Sequence, residues 1–335
     1  LKTGKLVELA REQYCTKSTS VAPSDDGEPT VWFSCLSRWF GDDQALIDYA
    51  QLFAGYCATG DTSEKMFLFI YGNADTGKTT FVEVLMAILK DYAQSASMDT
   101  FSESKQERHT TELAELAGAR FVSAAETQEG RRWNQARINQ LTGKDRVRAR
   151  YMRQDNFEYI PQFKLLVYGN YAPHVKSVDD ALRRRLHILP FSYPIPREEQ
   201  DSTLDAKLRA EYPQILAWII QGCLKWQLSG LTMPEVMQSA VEQYMDAEDS
   251  FGEWLRECTE RDPMAFSPGP DTFKSYRRWC DANGEHAIGR KRFSQQLQHR
   301  GFERGQFNAQ RGFKALRVKI THEVSSSNYY DKSNA

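Results

Sequence analysis

The feature that most constrains the fold is a short apolar segment that turns abruptly into a glycine-punctuated loop and then a helix. Residues 65–72 read KMFLFIYG, a nearly continuous apolar run that is typical of a strand buried on both faces. Gly72 to Thr79 match the pattern G-x-x-x-x-G-K-[ST], and residues 78–92 then place apolar side chains at helical spacing. This order predicts a phosphate-binding loop in an α/β domain.

The residue types within this loop suit a nucleoside triphosphate. Gly72 and Gly77 free the backbone, so that its N–H groups can point at phosphate oxygens. Lys78 is expected to reach the β- and γ-phosphates, and Thr79 is expected to hold Mg²⁺. The predicted cofactors are therefore ATP and Mg²⁺. The predicted binding residues are Gly72, Asn73, Ala74, Asp75, Thr76, Gly77, Lys78, Thr79 and Thr80.

Three later segments, residues 119–126, 163–170 and 185–191, have the same apolar, β-favouring composition. Their alternation with helical patterns predicts a parallel sheet flanked by helices. The first segment ends in Glu126, which suits the activation of a water for hydrolysis and completes a metal site with the loop threonine. The second ends in Asn170, whose amide is able to orient that water. A chance surface Glu and an ordinary strand-end Asn are the alternatives.

Three consecutive arginines, Arg183, Arg184 and Arg185, directly precede the last apolar segment. Charges at such a place are costly unless something pairs them. A triphosphate bound to a neighbouring subunit would pair them, and such an arginine finger implies a ring or filament. We expect Arg185, directly before the strand, to be the finger, with Arg184 as second choice. The alternative is local pairing with Asp179 or Asp180.

The net charge of -2 conceals two basic segments. Residues 131–153 hold eight Lys or Arg and one Asp, and residues 271–320 hold twelve Lys or Arg and four Asp or Glu. Two basic segments in an otherwise acidic chain indicate two local contacts with a polyanion. Two solvated surface faces are the alternative.

The residues now quoted, in their order along the chain, resemble the superfamily 3 helicases. The resemblance is to the phage–plasmid and poxvirus primase–helicase branch in particular, and it runs from about residue 45 to residue 320. Its most specific element is the sequence LTGKDRVRAR, at residues 141–150, which other phosphate-binding-loop proteins lack.

This resemblance implies an AAA+-like ATPase core that assembles into a homo-oligomeric ring, a hexamer, and moves along single-stranded DNA from 3′ to 5′. On this basis Gly72–Thr80 is the Walker A loop and Glu126 is the Walker B acid. Asn170 becomes the sensor, and Arg185 or Arg184 becomes the finger.

The family's DNA-binding element lies between the Walker B acid and the sensor strand, where the first basic segment falls. Residues 147–166 predict a β-hairpin with its tip at residues 153–156. Such a hairpin is expected to grip phosphates without reading bases. The candidate contacts are Lys144, Arg146, Arg148, Arg150 and Arg153.

Two positions depart from the family's pattern. A lysine usually stands just before LTG, where this chain has Asn139, and the nearby lysine is Lys144. The loop usually has an Asn before its final Gly-Lys, whereas this loop carries an acid at Asp75. Because an inward carboxylate would repel a triphosphate, we expect Asp75 to point away from the phosphates.

The C-terminal part predicts two helices followed by short strands, which is the order of a winged helix. Arg290, Lys291 and Arg292 open its second helix and are expected to lie near DNA phosphates; a solvated basic face is the alternative. The expected organisation is an N-terminal helical segment (1–64), an ATPase/helicase core (65–195), a helical connector (196–250), a winged-helix-like domain (251–322) and a disordered tail (323–335).

Together these features predict an ATP-dependent replicative DNA helicase of a phage, plasmid or other mobile element. A DNA-dependent ATPase that loads or binds without unwinding and a phosphotransferase remain as alternatives. No apolar run approaches the roughly 20 residues of a membrane span, and no signal peptide is present, so a cytoplasmic location is expected. The chain begins with Leu1, and it stays open whether a primase domain precedes it; other replication proteins are further expected partners.

Overall fold

The computed structural model describes residues 1–319 apart from 6, 8, 9, 11, 13, 104–110, 127 and 176–179. The predicted disordered tail therefore lies outside the described residues, as does Asp179. The chain divides into two units, Leu1–Glu248 and Asp249–Ala335.

A parallel five-stranded sheet forms the centre of the first unit. Its order is β2-β3-β6-β1-β7, and the other two strands, β4 and β5, form a separate antiparallel hairpin. The strands are β1 (Phe67–Tyr71), β2 (Ala93–Ser97), β3 (Phe121–Glu126), β4 (Val147–Ala149), β5 (Phe157–Tyr159), β6 (Lys164–Gly169) and β7 (Leu186–Pro190).

Helices cover both faces of this sheet, which confirms the predicted α/β class. They are α1 (Thr30–Phe40), α2 (Gln44–Cys57), α3 (Lys78–Leu89), α4 (Thr111–Glu115), α5 (Gln135–Thr142), α6 (Asp180–Arg185), α7 (Leu204–Ala210), α8 (Tyr212–Ser229) and α9 (Glu235–Ala247). Helix α2 begins where its sequence predicts, because the Asp43 carboxylate accepts hydrogen bonds from the backbone N–H groups of Ala45 and Leu46.

The continuous apolar run of β1 is explained by burial on both faces. Leu68 and Ile70 belong to one core cluster, together with side chains from α1, α2, α3 and α8. Phe67 and Phe69 belong to a second cluster on the opposite face, with side chains from α5 and α9. Since successive strand residues point to opposite faces, both sets must be apolar.

Strand β2 was not predicted from the sequence, whereas helix α1 lies within the predicted N-terminal helical segment. Strand β2 reads AQSAS and stands at an edge of the sheet, where small and polar residues are tolerated. The amino end of helix α1 is capped by a residue far along the chain: the Glu211 carboxylate accepts hydrogen bonds from the N–H groups of Val31 and Trp32, each at 2.9 Å.

The second unit combines three helices with a three-stranded antiparallel sheet in the order β8-β10-β9. Its core is rich in aromatic side chains, among them Trp254, Tyr276 and Phe293. The two predicted helices and the hairpin are present. A further strand, which was not predicted and contains two prolines, pairs with the hairpin in the sheet. The elements are α10 (Ser250–Cys258), β8 (Thr259–Pro268), α11 (Gly269–Ala282), α12 (Arg290–His299), β9 (Arg304–Phe307) and β10 (Gln310–Val318).

Helices α2 and α8 approach each other through two glycines. A Cβ atom on Gly55 would lie 2.0 Å from the backbone nitrogen of Cys223, and one on Gly222 would lie 2.1 Å from the carbonyl oxygen of Gln51. Both neighbours are backbone atoms, so neither can move aside without moving a helix. The contact therefore fixes the distance between the two helices that cover the face of the sheet next to α3.

We expect Gly222→Ala to lower the free energy of unfolding by about 3 kcal/mol, because the added methyl group forces the helices apart. The higher helix propensity of alanine would by itself raise the stability by about 1 kcal/mol, so a lower free energy of unfolding must come from the packing of the two helices. Denaturant unfolding measures the change. Gly60→Ala is the matched control, since its Cβ would meet only the Gln162 side chain, at 3.4 Å. A Gly222→Ala protein as stable as this control would contradict the packing argument.

Candidate functional site

The carboxyl ends of three neighbouring strands bring the predicted chemical groups to one edge of the sheet. Tyr71, the last residue of β1, pairs with Gly169 of β6, and Glu126 of β3 pairs with the same glycine. A Cβ on Gly169 would lie only 2.8 Å from that of Glu126. The loop that begins at Gly72, the acid and Asn170 therefore meet at this edge, as predicted.

The loop itself is shaped by two close contacts. A Cβ on Gly72 would lie 2.1 Å from the carbonyl oxygen of Phe191. Gly77 has φ 89°, and a Cβ there would lie 2.0 Å from Nε1 of Trp39. Only glycine fits at these two positions, so a helix outside the predicted motif, α1, sets the curvature of the loop through its tryptophan.

The Lys78 side chain folds back into its own loop. Its Nζ donates to the carbonyl oxygen of Gly72 at 2.9 Å and to Oγ1 of Thr76 at 3.1 Å, and it also donates to the carbonyl of Asn73. Burial lowers the pKa of this lysine, and the nearby Asp75 carboxylate opposes that shift. A cation held by neutral oxygens is ready to exchange them for an anion.

Asp75 adopts a left-handed backbone conformation with φ 56°. Asn, Asp and Gly tolerate this region best, which gives a physical reason for a short polar residue at this turn of the loop. Its carbonyl oxygen accepts a hydrogen bond of 2.8 Å from the N–H of Ile195, and the residue is exposed. The direction of its carboxylate relative to a bound phosphate stays a prediction.

The Glu126 carboxylate is almost fully buried, with 4% of the residue exposed. Its Oε1 accepts a hydrogen bond of 2.6 Å from the N–H of Gln128. Its Oε2 is buried without a hydrogen-bond partner among the described residues. An unsatisfied, buried carboxylate oxygen is costly, and a water or a metal-bound water would satisfy it.

Arg131 is a neighbour of this acid that sequence reasoning placed only in a basic segment. Its Nε lies 3.7 Å from Oε1 of Glu126, and its guanidinium also contacts Asp99 and the Gln128 side chain. Arg131 lies five residues after Glu126 in the sequence, and its side chain comes back close to the end of β3. The sequence pattern did not predict this contact. Arg131 thus lies near Oε1 of Glu126, and Oε2 stays available as an acceptor.

A cavity of about 730 Å³ opens beside the loop, a volume within the range of small-molecule sites. The loop residues from Ala74 to Thr80 line one side, together with Asn170. Helix α1 lines another side with side chains at helical spacing, and residues 195–207 contribute a third. The residues from α1 are Thr30, Val31, Ser34, Cys35, Arg38 and Trp39, none of which the sequence motif indicated.

The arginine triplet lies at the other edge of the sheet. Leu186 pairs with Phe67, the first residue of β1, so Arg185 stands at the amino end of the strands. The length of β1, roughly 13–16 Å, separates it from the loop of its own chain. Its Nη1 donates to the carbonyl of Lys65 at 3.1 Å, and its Nε is buried without a hydrogen-bond partner among the described residues. Arg184 is exposed and Arg183 is half-buried.

The hairpin expected between the acid and the sensor strand is present. Strands β4 and β5 pair antiparallel, with Arg148 opposite Glu158. Val147 and Ala149 are buried, so the arginines at alternate positions lie together on the exposed face; they are Arg146, Arg148 and Arg150. Lys144 and Arg153 are also exposed.

Two tyrosine hydroxyls anchor the hairpin to helix α4. Tyr151 donates to the carbonyl of Ala114 at 3.0 Å, and Tyr159 donates to the carbonyl of Leu113 at 2.6 Å. Asn139, at the position of the missing lysine, is half-buried, and its Oδ1 has no hydrogen-bond partner among the described residues.

In the second unit, the predicted basic residues open helix α12. Arg290 and Lys291 are exposed and Arg292 is half-buried. The N-cap residue Gly289 provides no side-chain hydrogen bond to the helix. Across the described residues of the chain, no helix is long and apolar enough to span a membrane, and no cluster of His, Cys, Asp or Glu is placed to hold a metal ion.

Comparisons with known proteins are consistent with this site. A family model described as "Family of unknown function (DUF5906)" matches residues 70–185, from the end of β1 to the arginine triplet. Two curated relatives are named putative helicases. One, from Acanthamoeba polyphaga mimivirus, is 21% identical over 80% of this chain. The other, from Frog virus 3 (isolate Goorha), is 25% identical over 82% of this chain. The chain spans 30% of the length of each relative.

Among solved structures, two of the NrS-1 C terminal region are similar in fold. One has a TM-score of 0.55 at 12% identity, and the other has a TM-score of 0.52 at 11% identity. Both matches cover 88% of this chain and 77% of the solved chain. These structural likenesses support the predicted fold, and the two viral relatives support a relation to helicases.

We expect Asp75→Asn to leave stability within about 0.5 kcal/mol and ATP affinity nearly unchanged, since Asn also tolerates the left-handed conformation. Asp75→Val should lower the free energy of unfolding by about 1–3 kcal/mol, because a β-branched residue is strained there. Denaturant unfolding without nucleotide compares the two. Equal stability of the Val and Asn variants would contradict the backbone argument.

Proposed function

We propose that the chain is the motor part of an ATP-driven DNA helicase that works as a ring. The observation that carries the proposal is the meeting of the loop, Glu126 and Asn170 at one edge of a parallel sheet, beside a cavity of nucleotide size. The helicase names of the two viral relatives support it, and because the chain spans only 30% of their length, the activity of a whole protein is part of the proposal.

The residues present fit ATP and Mg²⁺. Gly72 and Gly77 shape a loop whose N–H groups would meet the phosphates, and the unsatisfied Oε2 of Glu126 is able to face a metal-bound water. Bound Mg²⁺, held with Thr79, would neutralise charge on the phosphate oxygens. Lys78 leaves its loop carbonyls to bind the phosphates, Asn170 orients a water, and Glu126 accepts the proton from that water.

The place of Arg185 supports sharing of sites between subunits. It lies at the amino end of the strands, too far from its own loop to contact a phosphate there. We propose that Arg185, with Arg184 beside it, completes the site of the neighbouring protomer in a hexamer.

The exposed arginine face of the hairpin is proposed to hold single-stranded DNA by its phosphates. The second unit, with the helix and strand order of a winged helix, is proposed to contact DNA or other replication proteins through α12. A primase domain as a further part of the same protein belongs to this proposal, as does a cytoplasmic location.

ATP turnover of the unmodified protein should rise at least several-fold with single-stranded DNA. Lys78→Ala should abolish turnover, because no other group in the loop can balance phosphate charge; a loss of about 10²–10³-fold or more is expected. Lys5→Ala, which removes an exposed lysine outside both basic segments, is the control. Turnover retained by Lys78→Ala would remove this loop from the mechanism.

The same assays separate the alternatives. Stimulation by DNA without strand separation of a forked duplex would favour a DNA-dependent ATPase that does not unwind. Phosphate transfer to a small molecule by a monomer, with no effect of DNA, would favour a phosphotransferase.

Mixing variants tests whether Arg185 acts between subunits. Arg185→Ala should lower turnover about 10³-fold or more. Mixed in equal amounts with Lys78→Ala protein, it should regain activity, since about one interface in four then joins an intact loop to an intact arginine. Arg209→Ala, which removes an exposed arginine from α7, is the control. A mixture that stays inactive although the proteins co-assemble counts against sharing.

A further inference from the structure

The second unit contains a cleft that the predicted DNA contacts do not include. It has a volume of about 390 Å³ and lies between helix α12 and the hairpin of β9 and β10. Two exposed arginines, Arg304 and Arg311, line it together with Ser294, Gln306 and Phe313. We propose that this cleft binds phosphate groups of a nucleic-acid backbone.

The strand register places the polar groups on one side of the hairpin. Gln306 pairs directly with Arg311, and Arg304 pairs with Phe313. Directly paired residues of an antiparallel ladder lie on the same face, so both arginines share the face on which Phe313 enters the core. Arg304 and Arg311 are diagonal neighbours on this face, because Arg311 pairs with Gln306, two residues from Arg304. The two guanidinium groups therefore belong to one face of the hairpin.

One of the two arginines is already oriented toward the cleft wall. The Nε and Nη2 of Arg304 donate to Oγ of Ser294, at 2.9 and 2.5 Å. This contact joins the hairpin to the second turn of α12 and leaves Nη1 for another acceptor. A guanidinium held by a neutral hydroxyl keeps its full charge available to a ligand.

The charge around the cleft selects an anion. Two other basic residues of β10 have acidic partners: Lys314 lies near Glu303, and Arg317 pairs with Glu260 and Asp262. Among the described residues, no carboxylate lies within ion-pair distance of Arg304 or Arg311, and no acidic side chain lines the cleft. The charges of Arg304 and Arg311 therefore lack the local neutralisation that Lys314 and Arg317 have.

The occupant is assigned to nucleic acid from the geometry and the charge. The cleft is open and small, and the charged side chains that line it are two arginines, so it fits successive phosphates with a sugar better than a folded acidic surface. The basic amino end of α12 begins one helical turn before Ser294 and continues the same charge. The inference rests on the proposed function only in taking DNA as the ligand, and it does not require ATP hydrolysis.

The test measures binding of labelled oligonucleotides to the full chain without nucleotide, over a range of salt concentrations. The cleft variant is Arg304→Gln with Arg311→Gln. It should weaken binding about tenfold at 50 mM salt and reduce the slope of log K against log salt by about 1.8 for duplex or about 1.4 for single strands, since two phosphate contacts are lost. The two kinds of oligonucleotide show which form of DNA the cleft holds.

The matched control removes the same charge elsewhere in the unit. Arg277→Gln with Arg278→Gln changes two exposed arginines of α11 that do not line the cleft. An equal loss for both pairs would show a diffuse charge effect and overturn the proposal, and an unchanged slope for the cleft pair would do so too. Arg304→Lys with Arg311→Lys should keep most of the slope, which excludes misfolding as the cause. A lack of ATP turnover in the unmodified protein would contradict the proposed ATP-driven function, but it would not affect the binding result for the cleft.

Discussion

The in-register parallel pairing of β1, β3 and β6 is the constraint on which the site depends. Both outer partners of β6 meet Gly169, so the last residues of three strands end at one level. A slip of one residue would turn Glu126 toward the opposite face of the sheet. The register is in turn fixed by burial on both faces, because alternate residues of each strand belong to different core clusters. Core packing therefore determines where the acid points.

A series of contacts connects Glu211, which is distant in sequence, to the phosphate loop. Glu211, at the junction of α7 and α8, satisfies the amino end of α1 with a charged acceptor. Helix α1 then holds Trp39 between Phe81 and Phe191, and the indole lies against Gly77. The loop thus depends on an element that precedes it by more than 30 residues, which is why the nucleotide motif alone does not explain the shape of the cavity.

The sequence predicted those parts of the fold in which one local signal dominates. Buried parallel strands such as β1 show a continuous apolar run, and capped amphipathic helices such as α2 show spacing and an acid at the start. The edge strand β2 shows neither, since small polar residues are tolerated there. The carboxyl-edge site followed from strand ends, whereas Arg131 and the cavity wall of α1 arise from tertiary contacts that spacing does not encode. The arginines at 146, 148 and 150 share one face because strand β4 has a period of two.

The two edges of the sheet have different chemical roles in the proposed assembly. At the carboxyl edge, Lys78 is desolvated and donates three hydrogen bonds to neutral oxygens. A triphosphate that binds there must replace these hydrogen bonds, and the charge-assisted contact that it forms with the lysine offsets their loss. At the amino edge, Arg185 keeps one buried nitrogen unsatisfied. A single chain cannot bring these edges together, because the rigid sheet holds them apart. In the proposed ring, Arg185 would therefore reach the phosphates bound to a neighbouring protomer and not those bound to its own chain.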